Sequence, residues 1–311
     1  MAIERVLLLV GGVGGAKLAH GLAQILPPDA LTAIVNTGDD FWHYGLRVCP
    51  DMDTVMYTLG GVVDPANGWG VREDTAHMLD ALRRYGEQPW FRLGDQDMAT
   101  HLLRTEALRR VESLTGITRR LSAALGIQPA ILPMTDAEVA TIIDTEEHGE
   151  LAFQEYFVRY RWQPRVKGIR FAGAEHASIT DAIADAFKAA DLMLIAPSNP
   201  WLSIAPILSV PGMRDLLYER RVPCVALTPI IGGAAVKGPT AKIMCELGLE
   251  VSAETIARFY DGLIDAFIYD AGDPEPRIDG IRMVGMDALM RSEPDRARLA
   301  GEMLRWIGET L

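Results

Sequence analysis

The sequence predicts an α/β protein with a Rossmann-like, doubly wound and mostly parallel sheet, interrupted by an inserted helical and β-hairpin subdomain. Three observations predict this fold. The chain opens with a strand, a glycine loop and a helix; a second strand follows before residue 40; and strands alternate with helices again in the second half. Residues 66–165 break this alternation. We therefore expect residues 1–65 and 166–311 to form the core and residues 66–165 to form the insertion.

The first strand is Val6–Val10, five apolar residues followed by glycine, which is typical of a buried parallel strand. An apolar stripe over residues 18–26 predicts a helix that ends at the prolines 27 and 28. Four glycines lie between the strand and this stripe, namely Gly11, Gly12, Gly14 and Gly15. Because glycine lets the backbone approach a ligand and a helix N terminus attracts anions, the loop predicts a phosphate-binding site.

Lys17, near the start of this helix, is a candidate cation for the same phosphate. The loop nevertheless fits neither familiar phosphate-binding pattern. A Walker loop needs Gly-Lys-Ser/Thr, but Lys17 lies between alanine and leucine, and a dinucleotide fingerprint begun at Gly12 finds Lys17 in place of its third glycine. The alternative is a plain strand-to-helix turn with Lys17 as a solvated helix residue.

Four carboxylates follow within fifteen residues of one another. Asp39 and Asp40 come after the second strand (residues 31–36), and Asp51 and Asp53 lie in the first turn of a helix that begins at Pro50. Ligands of parallel sheets gather at the carboxyl ends of the strands, so the pair 39–40 is expected near the glycine loop. Two carboxylates in tandem suit a divalent cation, and four together would be costly without one. For Asp51 and Asp53 the alternative is simple stabilisation by the helix dipole.

The inserted block has helical patterns over residues 75–85, 96–111 and 118–125, and a hairpin signal over residues 138–159. Its loop over residues 90–95 contains Trp90, Phe91 and Arg92. Two aromatic rings beside a cation could hold a flat aromatic ligand, although packing against the core is the commoner role of such rings.

The alternation then returns with a helix over residues 179–189 and an apolar strand over residues 192–196. Ser198 and Asn199 follow this strand in a proline-bounded turn at the same carboxyl edge. A helix over 214–221 and a strand over 224–227 lead to a second glycine-rich loop over 228–239, which contains Gly232 and Gly233. Strands over 266–269 and 281–284 and a helix over 294–307 complete the core.

The composition favours a cytoplasmic globular protein that binds small molecules. Hydrophobic residues make up 49% of the chain and charged residues 23%, as is usual for globular domains. The net charge of −12 disfavours nucleic acids and anionic membranes as partners, because both need a basic face. The three cysteines form no CxxC pair, which favours a reduced protein over one held by disulfides. The apolar runs are too short for a signal peptide or a membrane span. The six histidines lack the spacing of metal ligands.

These motifs, in this order, closely resemble the 2-phospho-L-lactate transferase family of coenzyme F-420 biosynthesis. The blocks Asn-Thr-Gly-Asp-Asp (36–40) and Pro-Asp-Met-Asp-Thr (50–54) are specific, whereas the glycine loop alone is not. The similarity spans nearly the whole chain, through residues 11–22, 36–61, 68–70, 93–105, 196–208 and 228–239. A sister group of sugar-nucleotide-binding regulators shares the fold, the glycine loop and the Ser-Asn-Pro turn but is less similar elsewhere.

The resemblance implies a Mg²⁺-dependent transfer of a phospholactyl or phosphoenolpyruvyl group. The donor would be a guanosine-diphosphate-linked compound, the acceptor the ribityl hydroxyl of 8-hydroxy-5-deazariboflavin, and the released nucleotide GMP. The loop sequences resemble the bacterial branch of the family, which favours the enolpyruvyl donor over the lactyl one. Since family members are commonly dimeric, a homodimer is expected.

The resemblance also implies roles for individual residues. By position, Asp53 and Arg92 match family residues at the deazaflavin site, and Asp39 matches the acid that binds Mg²⁺ together with Asp53. The hypothesis is therefore that Asp39 and Asp53 hold the metal, and that Asp53 or Asp51 accepts the ribityl proton. The inserted block, with Trp90, Phe91 and Arg92, would lie on the deazaflavin side.

The remaining candidates are assigned to the donor. The glycine loop and Lys17 would hold its phosphate groups through N–H groups and a cation. Ser198, Asn199 and the 228–239 loop, with Gly232 and Gly233, would contact the guanosine half.

Two other functions stay open from the sequence. A non-enzymatic regulator would bind a sugar nucleotide in the same crevice, without Mg²⁺ and without affinity for a deazaflavin. An NAD-linked dehydrogenase is favoured only by the opening strand–helix–strand unit, and the broken dinucleotide fingerprint argues against it.

Overall fold

The computed structural model describes residues 3–235 and 238–311. Two residues of the predicted loop 228–239, Val236 and Lys237, lie outside the described residues. No helix in the described residues has the length and apolar character needed to cross a membrane.

The expected alternation of strands and helices is present. The strands are β1 (Val6–Val10), β2 (Leu31–Val35), β3 (Phe41–His43), β4 (Leu46–Val48), β5 (Ala130–Pro133), β6 (Ala140–Thr145), β7 (Gly149–Ala152), β8 (Val166–Ala172), β9 (Leu192–Ile195), β10 (Cys224–Leu227), β11 (Ile230–Ile231), β12 (Ala234–Ala235), β13 (Ala266–Asp270) and β14 (Arg282–Met286). The helices are α1 (Val13–Ile25), α2 (Pro50–Leu59), α3 (His77–Arg84), α4 (Asp97–Arg109), α5 (Leu114–Ala124), α6 (Asp181–Ala189), α7 (Ala205–Ser209), α8 (Met213–Tyr218), α9 (Thr240–Glu246), α10 (Ala253–Phe259) and α11 (Glu293–Thr310).

In the described part of the chain, seven strands form one sheet in the order β14-β13-β10-β9-β1-β2-β5. All neighbouring strands in this sheet are parallel. The fold prediction is therefore confirmed. The chain passes from β1 outward to β2 and β5, then returns to β9 on the other side of β1, so the crevice between β1 and β9 is a topological switch point.

Helices cover both faces of the large sheet, which explains why its strands are apolar throughout. In β1, Val6, Leu8 and Val10 pack into a core with α1, α2, α5 and α11. Leu7 and Leu9 point to the other face, where α6, α7, α8 and α10 pack. Successive side chains of β1 therefore point to opposite faces of the sheet, and both faces are buried, as expected for a central strand.

The middle of the chain differs from the predicted division at 66–165. Strand β5 lies within that range but is the edge strand of the large sheet, next to β2. Strand β8 lies outside the range but pairs with β6, the central strand of the small antiparallel sheet β7-β6-β8. The predicted hairpin is present as β6–β7, but residues Glu155–Arg159 form a π-helical turn where a strand was expected.

Helix α1 packs closely against α11, and Gly21 lies at the crossing. A Cβ atom at Gly21 would collide with the backbone carbonyl of Arg296. We expect Gly21→Ala to lower the free energy of unfolding by about 1–3 kcal/mol, because backbone cannot move aside as a flexible side chain can. Gly301, on α11, has open space around its Cα, and Gly301→Ala should raise stability by about 0.5–1 kcal/mol. Urea denaturation measures both; equal stability of the two variants would contradict the packing described here.

Candidate active site

The glycine loop is short: only Gly11 and Gly12 separate the end of β1 from the start of α1. Gly12 precedes the helix and offers no side chain to cap it, and the first turn contains no acidic residue. The N–H groups of this turn can therefore bind an anion. Gly11 donates its N–H to the Ser198 hydroxyl at 3.0 Å, which ties the loop to the turn after β9.

Because Gly11 and Gly12 have no side chains, Asp51 of α2 and Ser203 can lie close to the start of α1. A Cβ atom at Gly12 would lie 2.5 Å from Asp51 Oδ1, and one at Gly11 would collide with Ser203. The glycines thus let the Asp51 carboxylate approach the N terminus of α1. Gly14 and Gly15 similarly allow the first turn of α1 to pack against β1 and the chain after β9.

Asp39, Asp40 and Asp51 form a carboxylate group beside this helix start, in which Asp39 and Asp40 are buried and Asp51 is partly buried. Asp39 and Asp40 follow β2, and Asp51 comes from the first turn of α2. The Asn36 amide joins two of them: Nδ2 donates to Asp39 Oδ1 at 3.2 Å and to Asp51 Oδ2 at 2.9 Å. Gln154, which follows β7, donates to Asp39 Oδ2 at 3.3 Å.

Burial dominates the electrostatics of this carboxylate group. It raises the pKa of Asp39 well above its usual value, and the neighbouring Asp51 and Asp40 charges raise it further. Burial raises the pKa of Asp51 to about 6, against the hydrogen bond from Asn36. It raises the pKa of Asp40 to about 7, partly opposed by Arg47, whose guanidinium lies 3.6 Å away.

This set of donors fits a hard divalent cation. Both carboxylate oxygens of Asp40 are buried and accept no hydrogen bond from the described residues. A cation bound by Asp39 and Asp51 would offset the repulsion that helps to raise the pKa of Asp39. Carboxylate and amide oxygens are also the ligands that Mg²⁺ takes in proteins.

Asp53 lies on the same helix but in a different environment. Both of its oxygens accept hydrogen bonds from the Arg104 guanidinium, which is itself buried. His101 Nδ1 lies 3.7 Å from Asp53 Oδ2, and Asp97 accepts a hydrogen bond from Tyr57 at 2.6 Å. One ligand atom from each of Asp53, Asp97 and His101 lies within 4.8 Å of the others, but Arg104 already balances the charge of Asp53.

The predicted aromatic loop lies beside the carboxylate group. Phe41, in β3 directly after Asp40, has its ring centroid 4.8 Å from that of Phe91 and 5.9 Å from that of Trp90. His43 contacts Trp90 at 5.4 Å. Trp90 and Phe91 are partly buried in this cluster, whereas Arg92 is exposed.

Several predicted donor-binding side chains bond to the protein itself. Asn199 Oδ1 accepts the N–H groups of residues 201 and 202, and its Nδ2 donates to Thr240. The N–H groups of Gly232 and Gly233 donate to the Asp273 carboxylate, each at 3.0 Å. Lys17 Nζ donates to the carbonyl of Met290 at 2.9 Å. Their roles toward a nucleotide remain predictions.

Sequence reasoning did not single out Asn36, Gln154, His101 or Arg104. A signal existed for the last two, because Asp97, His101 and Arg104 recur at helical spacing along one face of α4, and that face is buried. Charged residues on a buried stripe indicate a polar network rather than ordinary packing. Asn36 lies in the specific block 36–40 but has no catalytic chemistry of its own.

Comparisons with known proteins identify the family of the chain. A family model described as 2-phospho-L-lactate transferase CofD matches residues 6–304. A 2-phospho-L-lactate transferase from Methanosarcina mazei is 41% identical over 267 residues, which cover 86% of this chain and 87% of that protein. A phosphoenolpyruvate transferase from Streptomyces griseus is 40% identical over 314 residues, which cover 98% and 99%.

A solved structure has the same fold. A UPF0052 family member from Bacillus halodurans aligns with a TM-score of 0.60 at 15% identity and covers 98% of this chain and 100% of its own. That likeness concerns the fold alone, whereas the family model and the two relatives span most of the sequence. The chain belongs to the 2-phospho-L-lactate transferase family.

Proposed function

We propose that this protein transfers a phosphoenolpyruvyl or 2-phospholactyl group to 8-hydroxy-5-deazariboflavin. The donor is the corresponding guanosine-diphosphate-linked compound. The terminal ribityl oxygen of the deazaflavin attacks the phosphorus that bears the three-carbon acid, a new P–O bond forms, and the bond to the bridging oxygen breaks, so that GMP leaves with that oxygen. The relatives' names support both three-carbon acids, since one is named for each.

The observation that carries this proposal is the position of the buried carboxylate group. It lies beside the uncapped N terminus of α1 on one side and the Phe41–Phe91 aromatic cluster on the other. The helix start suits donor phosphates, and the aromatic cluster suits a flat deazaflavin ring. A phosphoryl group bound at the helix start would thus lie next to the cation-binding carboxylates.

The carboxylates take separate roles in this proposal. Asp39 and Asp51 would hold Mg²⁺, which when bound supplies charge neutralisation to the donor diphosphate. The pair Asp39–Asp53 expected from the family resemblance is less well supported, because Arg104 engages both oxygens of Asp53. Asp40, whose pKa burial raises to about 7, would be a further candidate for taking up the ribityl proton.

The aromatic loop and the donor residues complete the proposed site. Trp90 and Phe91 would flank the deazaflavin, and the exposed Arg92 would meet its polar edge or the transferred carboxylate. Ser198 holds the glycine loop in place through Gly11, so its contribution to nucleotide binding is indirect. A homodimer is part of the proposal, on the family resemblance.

A direct assay tests the proposed function. Purified protein is incubated with the deazaflavin and, separately, with the enolpyruvyl and lactyl donors, and GMP and product mass are followed by liquid chromatography and mass spectrometry. We expect product with Mg²⁺ and a loss of at least about a hundredfold in rate when EDTA removes it, because phosphoryl transfer depends on charge neutralisation. Tight nucleotide binding without Mg²⁺, without deazaflavin affinity and without GMP release would instead support a regulator.

A further inference from the structure

We propose that Asn36 is a positioning residue of this site, whose amide holds the Asp39 and Asp51 carboxylates side by side so that they share one divalent cation. The inference rests on the proposed function for its catalytic consequence, but its structural claim concerns cation binding alone. Asn36 does not contact substrate in this scheme and acts only through the two carboxylates.

The hydrogen bonds of Asn36 fix the direction of its amide. Its side-chain oxygen accepts the N–H of Gly38 at 2.8 Å. The NH₂ group must therefore face the other way, where it donates to Asp39 at 3.2 Å and to Asp51 at 2.9 Å and lies 3.5 Å from the Leu202 carbonyl. A flipped amide would place two carboxylates against an oxygen and lose all of these donations, so the assignment is unambiguous.

The two carboxylates need such a link because they come from different elements. Asp39 is in the loop after β2 and is buried, whereas Asp51 is in the first turn of α2 and is partly buried. Two like charges in such surroundings repel each other. A neutral amide that donates one hydrogen to each carboxylate stabilises both charges and holds their oxygens at a defined separation, without the positive charge that would compete with a cation.

The other contacts of the two carboxylates complete the arrangement. Asp39 Oδ2 accepts the Gln154 amide, and Asp51 Oδ1 lies over Gly12 at the start of α1. Asn36 therefore connects the helix that is proposed to bind phosphate with the loop that carries Asp39 and Asp40. Asp53, by contrast, is held by a full positive charge on Arg104, which suits a structural ion pair better than a cation ligand.

The test measures Mn²⁺ binding to the protein without substrates, by electron paramagnetic resonance, as a probe of the cation site. For Asn36→Ser and Asn36→Gln, which both alter the reach of the amide, we expect the Mn²⁺ dissociation constant to rise about 10–100-fold, as for other residues that orient metal ligands. The Mg²⁺ concentration for half-maximal transfer should rise in parallel, while the KM for the deazaflavin stays within about twofold.

A matched control is Thr135→Ala. The Thr135 hydroxyl is also buried at the end of a neighbouring strand, where it donates to the Ser178 carbonyl at 2.8 Å, so this variant loses comparable hydrogen bonds without touching a carboxylate. It should lower the melting temperature and leave Mn²⁺ affinity unchanged. Circular dichroism confirms folding of each variant before binding is measured.

The outcomes separate this inference from the proposed function. Weakened Mn²⁺ binding in the Asn36 variants supports the inference even if the wild-type protein transfers no group. Unchanged Mn²⁺ affinity in a folded Asn36 variant overturns it, even if transfer is slower. Failure of the wild-type protein to bind Mn²⁺, with or without GDP, also overturns it, whereas the transfer assay then decides the proposed function on its own.

Discussion

Asp39→Asn is expected to raise the stability of the metal-free protein and to abolish its transferase activity. The substitution keeps the shape of the side chain but removes one charge from the buried carboxylate group, where burial and the neighbouring Asp51 and Asp40 already disfavour that charge. We expect activity to fall by about 10²–10³-fold, since preorganised charge at the phosphoryl group is lost. In EDTA, the free energy of unfolding should rise by about 1–2 kcal/mol.

The same carboxylates predict how the stability of the metal-free protein depends on pH. Burial raises the pKa values of Asp51 and Asp40 from 3.8 to about 6 and about 7 in the folded state. Between about pH 4 and pH 7 the folded protein therefore keeps protons that the unfolded chain has released, and stability falls as the pH rises through this window. Asp39→Asn should make this fall shallower, because the Asp39 carboxyl, whose own raised pKa contributes to the fall, no longer titrates.

Thermal denaturation in EDTA and in Mg²⁺, from pH 4 to pH 8, tests these expectations together with transfer kinetics. A control is Asp144→Asn, whose carboxylate forms an exposed ion pair with Lys167 and should affect neither activity nor the pH profile. If Asp39→Asn is active at near wild-type rate, the carboxylate group is not the cation site. If the Asp39→Asn variant is inactive but also less stable in EDTA, Asp39 is not destabilised by the charges of Asp40 and Asp51.

The sequence was sufficient to predict most strands of the large sheet, because strands such as β1 are covered on both faces. A continuous apolar run such as Val6–Val10 differs clearly from a surface strand, in which polar and apolar residues alternate. Because the strands are parallel, the residues that follow their carboxyl ends lie at one edge of the sheet. Strand β5 was not predicted, because its four residues end in a proline and read as a loop. The hairpin β3–β4 was not predicted either, since three-residue strands are too short to show a period.

The candidate site was predictable in its residue types but not in its pairings. Asp39 and Asp40 could be placed near the glycine loop because both follow the carboxyl end of a parallel strand. The partner of Asp53 could not be predicted, because Arg104 is 51 positions away along the chain. Only the packing of α4 against β4 and α2 brings the two side chains together. Likewise the sequence did not show that the side-chain oxygen of Asn199, which is predicted to contact a nucleotide, accepts two N–H groups from the turn that follows it.

Arg104→Met is expected to lower the free energy of unfolding by about 3–5 kcal/mol, because it leaves the buried Asp53 carboxylate without its counter-charge. The guanidinium is almost fully buried and also donates to the Arg47 carbonyl at 3.3 Å. Arg110→Met is the matched control on the same helix, since Arg110 forms an exposed ion pair with Glu106 and its loss should change stability by no more than about 0.5 kcal/mol. Urea denaturation of both variants measures the difference.

The ion pair also changes how a substitution of Asp53 must be interpreted. Asp53→Asn leaves a buried arginine without its counter-charge, so a loss of activity in that variant alone would not identify a metal ligand. The double variant Asp53→Asn/Arg104→Met removes both charges and should recover part of the stability lost in either single variant. If this double variant is folded and binds Mn²⁺ as wild type does, Asp53 acts through Arg104 and the cation belongs to Asp39 and Asp51. If it is stable but has lost Mn²⁺ binding, Asp53 is itself a ligand, and Arg104 holds it in place until the cation arrives.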